Sequence, residues 1–186
     1  MRVGTVASKE QLRMSFLRWA AVAVPGVLLL GFLSGRTVPS GDQNGWYRAL
    51  AKPELTPPGW LFPLAWSLLY VMMGLALALV LSARGARLRW LAVALFAAQF
   101  VGNLLWTPLF FGAHRVSAAF LLIVAILGLT ILTTFVFAQV RRTAAWLLVP
   151  YMMWLSFAAT LNWRIDQLNP DAERLVSPAA ASQMVD

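Results

Sequence analysis

The chain has 186 residues, 60% hydrophobic and 12% charged, with a net charge of +8. A mean hydropathy of +0.72 excludes a water-soluble domain of this size, whose single core could not hide so much apolar surface. The absence of cysteine excludes disulfides, thiolate catalysis and Cys-ligated metals.

Five apolar stretches run at about 16–34, 60–81, 88–111, 116–138 and 144–164. A hydrocarbon core of about 30 Å is crossed by about 20 helical residues, so each stretch is long enough to span. None alternates apolar with polar residues, which disfavours a membrane β-barrel, and helices satisfy their own backbone groups in lipid. The expected fold class is an all-α integral membrane protein, a bundle of five transmembrane helices over 16–164. A basic tail over 1–15 and a polar, disordered tail over 165–186 flank it.

The first span, "WAAVAVPGVLLLGFL", has the length of a signal peptide but no A-x-A-like site closes it, so a retained helix is expected. The loop that follows is the long one. Its first half, "SGRTVPSGDQNG", reads as flexible, whereas "WYRALAKPELTPPGW" reads as stiff. Trp46, Lys52, Pro53, Pro57 and Pro58 mark this stretch, and over 46–59 it is predicted to act as a lid. Its prolines fix the backbone and lower the entropy lost on closing over a ligand.

In the second span, "WLFPLAWSLLYVMMG" puts Trp66, Tyr70 and Met73 on one helical face by i, i+4, i+7 spacing. In the third, "QFVGNLLWTPLFF" aligns Gln99, Asn103, Trp106 and Phe110. About 100° round that helix, Ala94, Ala98 and Gly102 form a ridge of small residues, suited to a dimer contact or to a contact within the bundle. In the fifth, "PYMMWLSFAATLN" aligns Trp154, Ala158 and Asn162, with Tyr151 one turn earlier. Trp19, Trp60, Trp90, Trp146 and Trp163 lie at span ends, where indoles anchor to the interface. Trp66, Trp106 and Trp154 lie deeper. Their faces either pack as core or converge on a cavity suited to a large, planar, apolar ligand.

The deep span interiors carry no Asp, Glu, Lys, Arg or His, the groups that ion-coupled transport needs. The lone His114, in the tight "FGAHRVS" turn, reads as an interfacial polar residue. No metal-ligand spacing and no set of nucleophile, base and orienting residue can be written, so neither catalytic residues nor a metal are expected. Without a basic stripe interleaved with aromatics outside the spans, no nucleic-acid partner is expected either. The N-terminal tail and the 82–89 and 139–143 loops carry nine basic residues against Glu10, and the other side carries six against six acids. The positive-inside rule then places the N-terminus inside and both the lid loop and the C-terminus outside.

The segments "WY", "KPELTPPGW", "PLAWSLLY", "NLLWTP" and "PYMMW", in this order over 16–164, resemble the TspO/MBR family. These are tryptophan-rich sensory proteins related to the mitochondrial translocator protein, the peripheral benzodiazepine receptor. The resemblance implies a five-helix bundle, often dimeric, with a pocket open toward the first loop. It implies a porphyrin ligand, protoporphyrin or haem, with no required cofactor. Carried over by motif, the pocket residues are Tyr47, Trp66, Tyr70, Asn103, Trp106, Trp154 and Ala158. Arg48 and Lys52 could meet porphyrin propionates or lipid phosphates. The expected function is therefore a membrane receptor or sensor for tetrapyrroles, moving them or controlling their level, in a bacterial cell membrane or outer membrane. The alternatives are light- and oxygen-dependent porphyrin breakdown and small-molecule export, the latter disfavoured by the missing intramembrane carboxylate. The chain departs from the family at Glu54 and Leu55, where a Trp is frequent. It departs again at Trp163, where the animal sterol motif has Tyr.

Overall fold

The computed structural model describes residues 8–175. Five helices are long and apolar enough to cross a membrane: α1 (Lys9–Gly35), α3 (Leu61–Ser82), α4 (Arg89–Thr107, prolonged to Gly112 by a π turn), α5 (Val116–Val140) and α6 (Arg142–Leu168). The short α2 (Gly45–Ala49) lies in the loop between α1 and α3. Each predicted span falls on one long helix.

The helices form a ring in the order α1, α3, α6, α5, α4, with α4 closing onto α1. Short connections make α4, α5 and α6 successive antiparallel neighbours, as their lengths predict. The pair α3 and α4 share a narrower contact, because α3 is drawn against α1 instead. Gly74 explains the draw: a Cβ there would lie 2.6 Å from Val24 Cα, so the two backbones touch.

Both predicted tails are shorter than expected. Helix α1 starts at Lys9, inside the stretch assigned to the basic tail, because Ser8 and Gln11 form a capping box. Gln11 N donates to Ser8 Oγ at 3.2 Å, and Ser8 N donates to Gln11 Oε1 at 2.9 Å. At the other end α6 continues to Leu168 and the chain makes a 3-10 turn at Ala172–Arg174, with Ala172 buried. Residues 165–175 are thus ordered, held by contacts to the first loop described below. Residues 1–7 and 176–186, the rest of the two expected tails, lie outside the described residues.

The small-residue ridge divides. A Cβ on Gly102 would lie 2.9 Å from Ile126 of α5, so Gly102 serves a contact within the bundle, while Ala94 and Ala98 face outward. Trp90 and Trp146 are exposed at one end of the bundle and Trp60 and Trp163 at the other, as interface anchors should be.

Candidate functional site

The aromatic faces of α3, α4 and α6 converge. Between them and the first loop lies a cavity of about 860 Å³. All seven predicted pocket residues, Tyr47, Trp66, Tyr70, Asn103, Trp106, Trp154 and Ala158, line it. The open choice between core packing and a cavity resolves toward a cavity for these side chains. It resolves toward core for Met73 and Gln99, which are fully buried and do not line it.

Its walls are set by rings that cannot interdigitate. Trp66 and Trp154 meet edge to face, with centroids 6.3 Å apart and planes at 81°, and Phe62 lies 5.9 Å from Trp154. Trp66 is tilted over Tyr70 at 5.2 Å, one turn along α3. Helix α1 makes room for Tyr70 by presenting Gly31, where a Cβ would overlap the phenol ring.

The floor is polar and internally satisfied. Tyr70 OH donates to Asn103 Oδ1 at 3.1 Å, and Asn103 Nδ2 donates to Tyr151 OH at 3.2 Å. One amide thus ties α3, α4 and α6 together in lipid-screened surroundings, where leaving it unpaired would cost several kcal/mol. Tyr151 is fully buried beneath the floor and does not reach the cavity.

At the open end of α4, Pro108 interrupts the regular ladder and the chain widens into the π turn, with Ala113 N donating to Pro108 O at 2.9 Å. The turn brings Phe110 flat against Trp106 at 4.9 Å and sets Phe111 across both. Trp106 Nε1 and, on α6, Asn162 Oδ1 belong to lining residues and lack a hydrogen-bond partner.

The roof is the lid. Asn44 caps α2 by accepting from Tyr47 N at 3.0 Å and donates to Pro39 O and Phe111 O, so the loop half expected to be flexible is tied to the π turn. Tyr47 points inward, edge-on to Phe111 at 5.3 Å. Burial pushes its phenol pKa up, and the nearby Asp42 carboxylate pushes it further. Lys52 Nζ lies 4.7 Å over the Tyr47 ring. Lys52, Thr56, Pro57 and Pro58 also line the cavity.

Two predicted lid residues do a different job. Trp46 and Pro53 are buried away from the cavity. Trp46 stacks on His114 at 4.4 Å and donates from Nε1 to Ala172 O at 2.8 Å. His114 therefore sits under an indole, with a left-handed φ of 56°. Two residues beyond α2, Ala51 exchanges both backbone bonds with the Asn169 side chain, each at 2.8 Å. The lid hangs from the segment after α6. Arg48, expected to meet porphyrin propionates or lipid phosphates, is exposed and outside the lining, where only the second partner is open to it; Arg36 and Asp42 are in the lining. Sequence periodicity missed Arg36, Asp42 and Gly31, because none continues an aromatic stripe and Gly31 acquires meaning only opposite Tyr70; Phe62, one turn before Trp66, does continue the stripe and the same spacing could have found it. The lining's Lys, Arg and Asp residues all come from the loop, and the spanning helices contribute rings, amides and aliphatic groups.

This geometry defines a class: a multi-pass helical membrane protein with a lidded aromatic cavity between its helices. The TspO/MBR family model matches residues 21–168, and the chain belongs to that family. It is 41% identical over 151 residues to the tryptophan-rich protein TspO of Chlorobaculum tepidum, covering 81% of this chain and 95% of that one. It is 40% identical to the tryptophan-rich sensory protein of Cereibacter sphaeroides, over 67% of this chain and 77% of that one. With the human translocator protein it shares 35% identity over 72% of this chain and 80% of that one.

Proposed function

We propose that the protein is a membrane receptor or sensor that binds porphyrins, and similar planar apolar ligands, under its lid, and takes part in moving them or setting their level. The observation that carries this reading is the cavity's size and wall. About 860 Å³ falls in the upper part of the roughly 300–1,000 Å³ typical of small-molecule sites. Its wall carries indoles at 66, 106 and 154, flat apolar groups suited to a planar ring system. The sensory and translocator names belong to the relatives, and agree with it. The positive-inside pattern supports an orientation with the N-terminus inside and the lid outside.

Titrating the purified protein with protoporphyrin should quench its tryptophan fluorescence saturably. The Trp66→Ala, Trp154→Ala double variant should bind about tenfold or more weakly, since it loses two stacking surfaces. Unchanged affinity in that variant removes the proposed site. Illuminating the same complex in air tests the degradative alternative: porphyrin absorbance falling faster than for the free compound would favour it.

A further inference from the structure

The end of the bundle away from the lid carries charge that nothing there balances. Val24 of α1 meets Gly74 and Gly31 meets Tyr70, and α1 and α3 share the broadest contact in the bundle. Carried to the end of α3, that antiparallel register sets Ser82 level with residues 16–19. The stretch Lys9–Ser15 therefore outruns α3, by about 10 Å. Arg13 lies about three full turns before Val24, so it continues the stripe of α1 that faces α3. The same register sets residues 85–88 opposite it. That connection is tight. Arg84 N donates to Ser82 O at 2.9 Å, Ala86 N donates to Ala83 O at 3.3 Å, and Gly85 takes a left-handed φ of 85°. Arg84 and Arg87 flank the turn and are exposed, as Arg13 is.

Three guanidinium groups thus face the space beyond the end of α3. Both ion pairs among the described residues lie at the lid end, Arg115 with Glu173 and Arg174 with Asp171, and the nearby Glu10 is in neither. Like charges gathered here repel one another unless an anion lies between them. Depth decides which anion. Ser34 Oγ donates to Leu104 O, and that contact between parallel helices sets Trp19 and Ala20 level with Arg89 and Trp90. Arg89 lies 4.7 Å over the exposed Trp90 ring, and Trp19 is exposed as well. Indoles so placed mark the start of the headgroup layer, which is about 5–7 Å thick. The 83–88 connection therefore stands among lipid phosphates, with Arg13 at their outer edge. Leu17, one turn from Arg13, is exposed and gives an acyl chain an apolar wall that free phosphate would not use. We propose that Arg13, Arg84 and Arg87 form a site for the phosphate of an anionic phospholipid, which ties the overhanging end of α1 to the connection between α3 and α4. The planar fork of arginine matches phosphate oxygens two at a time.

Native mass spectrometry of protein released from nanodiscs of equal phosphatidylglycerol and phosphatidylcholine tests it. The wild type should retain about tenfold more phosphatidylglycerol, and the triple variant Arg13→Gln, Arg84→Gln, Arg87→Gln should retain the two alike. The double variant Arg141→Gln, Arg142→Gln removes charge from the same end but outside the cluster, and should leave the preference within about twofold. Thermal unfolding gives a second reading. Adding phosphatidylglycerol to a phosphatidylcholine bilayer should raise the wild-type midpoint by about 3–5 °C and leave that of the triple variant unchanged. In phosphatidylcholine alone the triple variant, relieved of repulsion, should melt no lower than the wild type, which also shows that it folds. A lower midpoint there would show the arginines bonded within the protein and overturn the site. So would equal retention of the two lipids by the wild type, or a preference that survives in the triple variant. An equal loss in the double variant would reduce the effect to diffuse surface charge and overturn it too. Inorganic phosphate in millimolar excess should not strip the lipid; if it does, the site belongs to free phosphate and the lipid assignment fails.

Discussion

The same four helices behave differently at their two ends. Toward the 83–88 connection, Ala76, Ala92 and Ala144 are fully buried and let α3, α4 and α6 approach, while Phe96 stacks on Phe137 of α5 at 6.1 Å to fill what remains. Toward the lid, Trp66 and Trp154 occupy the corresponding inward positions and hold the helices about a cavity. Small residues beside planar ones interdigitate. Large rings meeting edge to face do not, and the space between them stays open to a guest. Side-chain size at facing positions thus decides where α3 and α6 close, and on α4 the π turn at the open end adds to the difference.

The comparison can be broken by truncating one ring in each half. Phe96→Ala at the closed end should destabilise the protein by about 3–5 kcal/mol, because it leaves a void in packed surroundings. Trp154→Ala should cost no more than about 1 kcal/mol, since its half-buried indole already borders open space. Thermal unfolding in detergent measures both, and equal losses would show the two ends to be packed alike. A smaller effect separates the lid from the bundle it covers. Asn169→Ala removes both bonds to Ala51. It should cost about 1–2 kcal/mol locally and speed amide exchange over 46–52 roughly tenfold or more, while exchange in α4 stays unchanged.

The smallest effect is a titration. The Tyr47 phenol is held above its ordinary pKa of about 10 by burial first and the Asp42 carboxylate second. Its contribution to the closed lid is therefore complete below the ordinary phenol value. It is lost as pH rises through the raised one. Tyrosinate absorbance should show Asp42→Asn moving this titration downward. No movement would mean that the carboxylate does not act on the phenol.

Much of this was legible in the sequence, and for physical reasons. Bilayer thickness dictates the length of an apolar run, so five spans could be drawn from composition alone, and helical periodicity put Trp66 with Tyr70 and Asn103 with Trp106. What was illegible was pairing at long range. Asn169 and Ala172 sit in a polar stretch that looks like any solvated tail, and nothing local announces that the Ala51 backbone and the Trp46 side chain, more than a hundred residues earlier, are bound to them. Lid charges were half legible for a related reason. Arg48 follows Tyr47 directly, yet α2 turns it outward, while Arg36 reaches the mouth because α1 ends beside it. Capping hid the start of α1, since Ser8 and Gln11 carry no apolar signal.

The bond from Trp46 to Ala172 also sets an order of events during biosynthesis. A nascent chain emerges from its N-terminus, and every spanning helix precedes the turn at Ala172–Arg174. The lid is made early, and its partners Asn169 and Ala172 follow the fifth spanning helix. A chain cut after Leu168 would keep all five spanning helices and lose both partners, leaving the roof of the aromatic cavity without its anchors, so the segment beyond α6 couples completion of the bundle to closure of the roof.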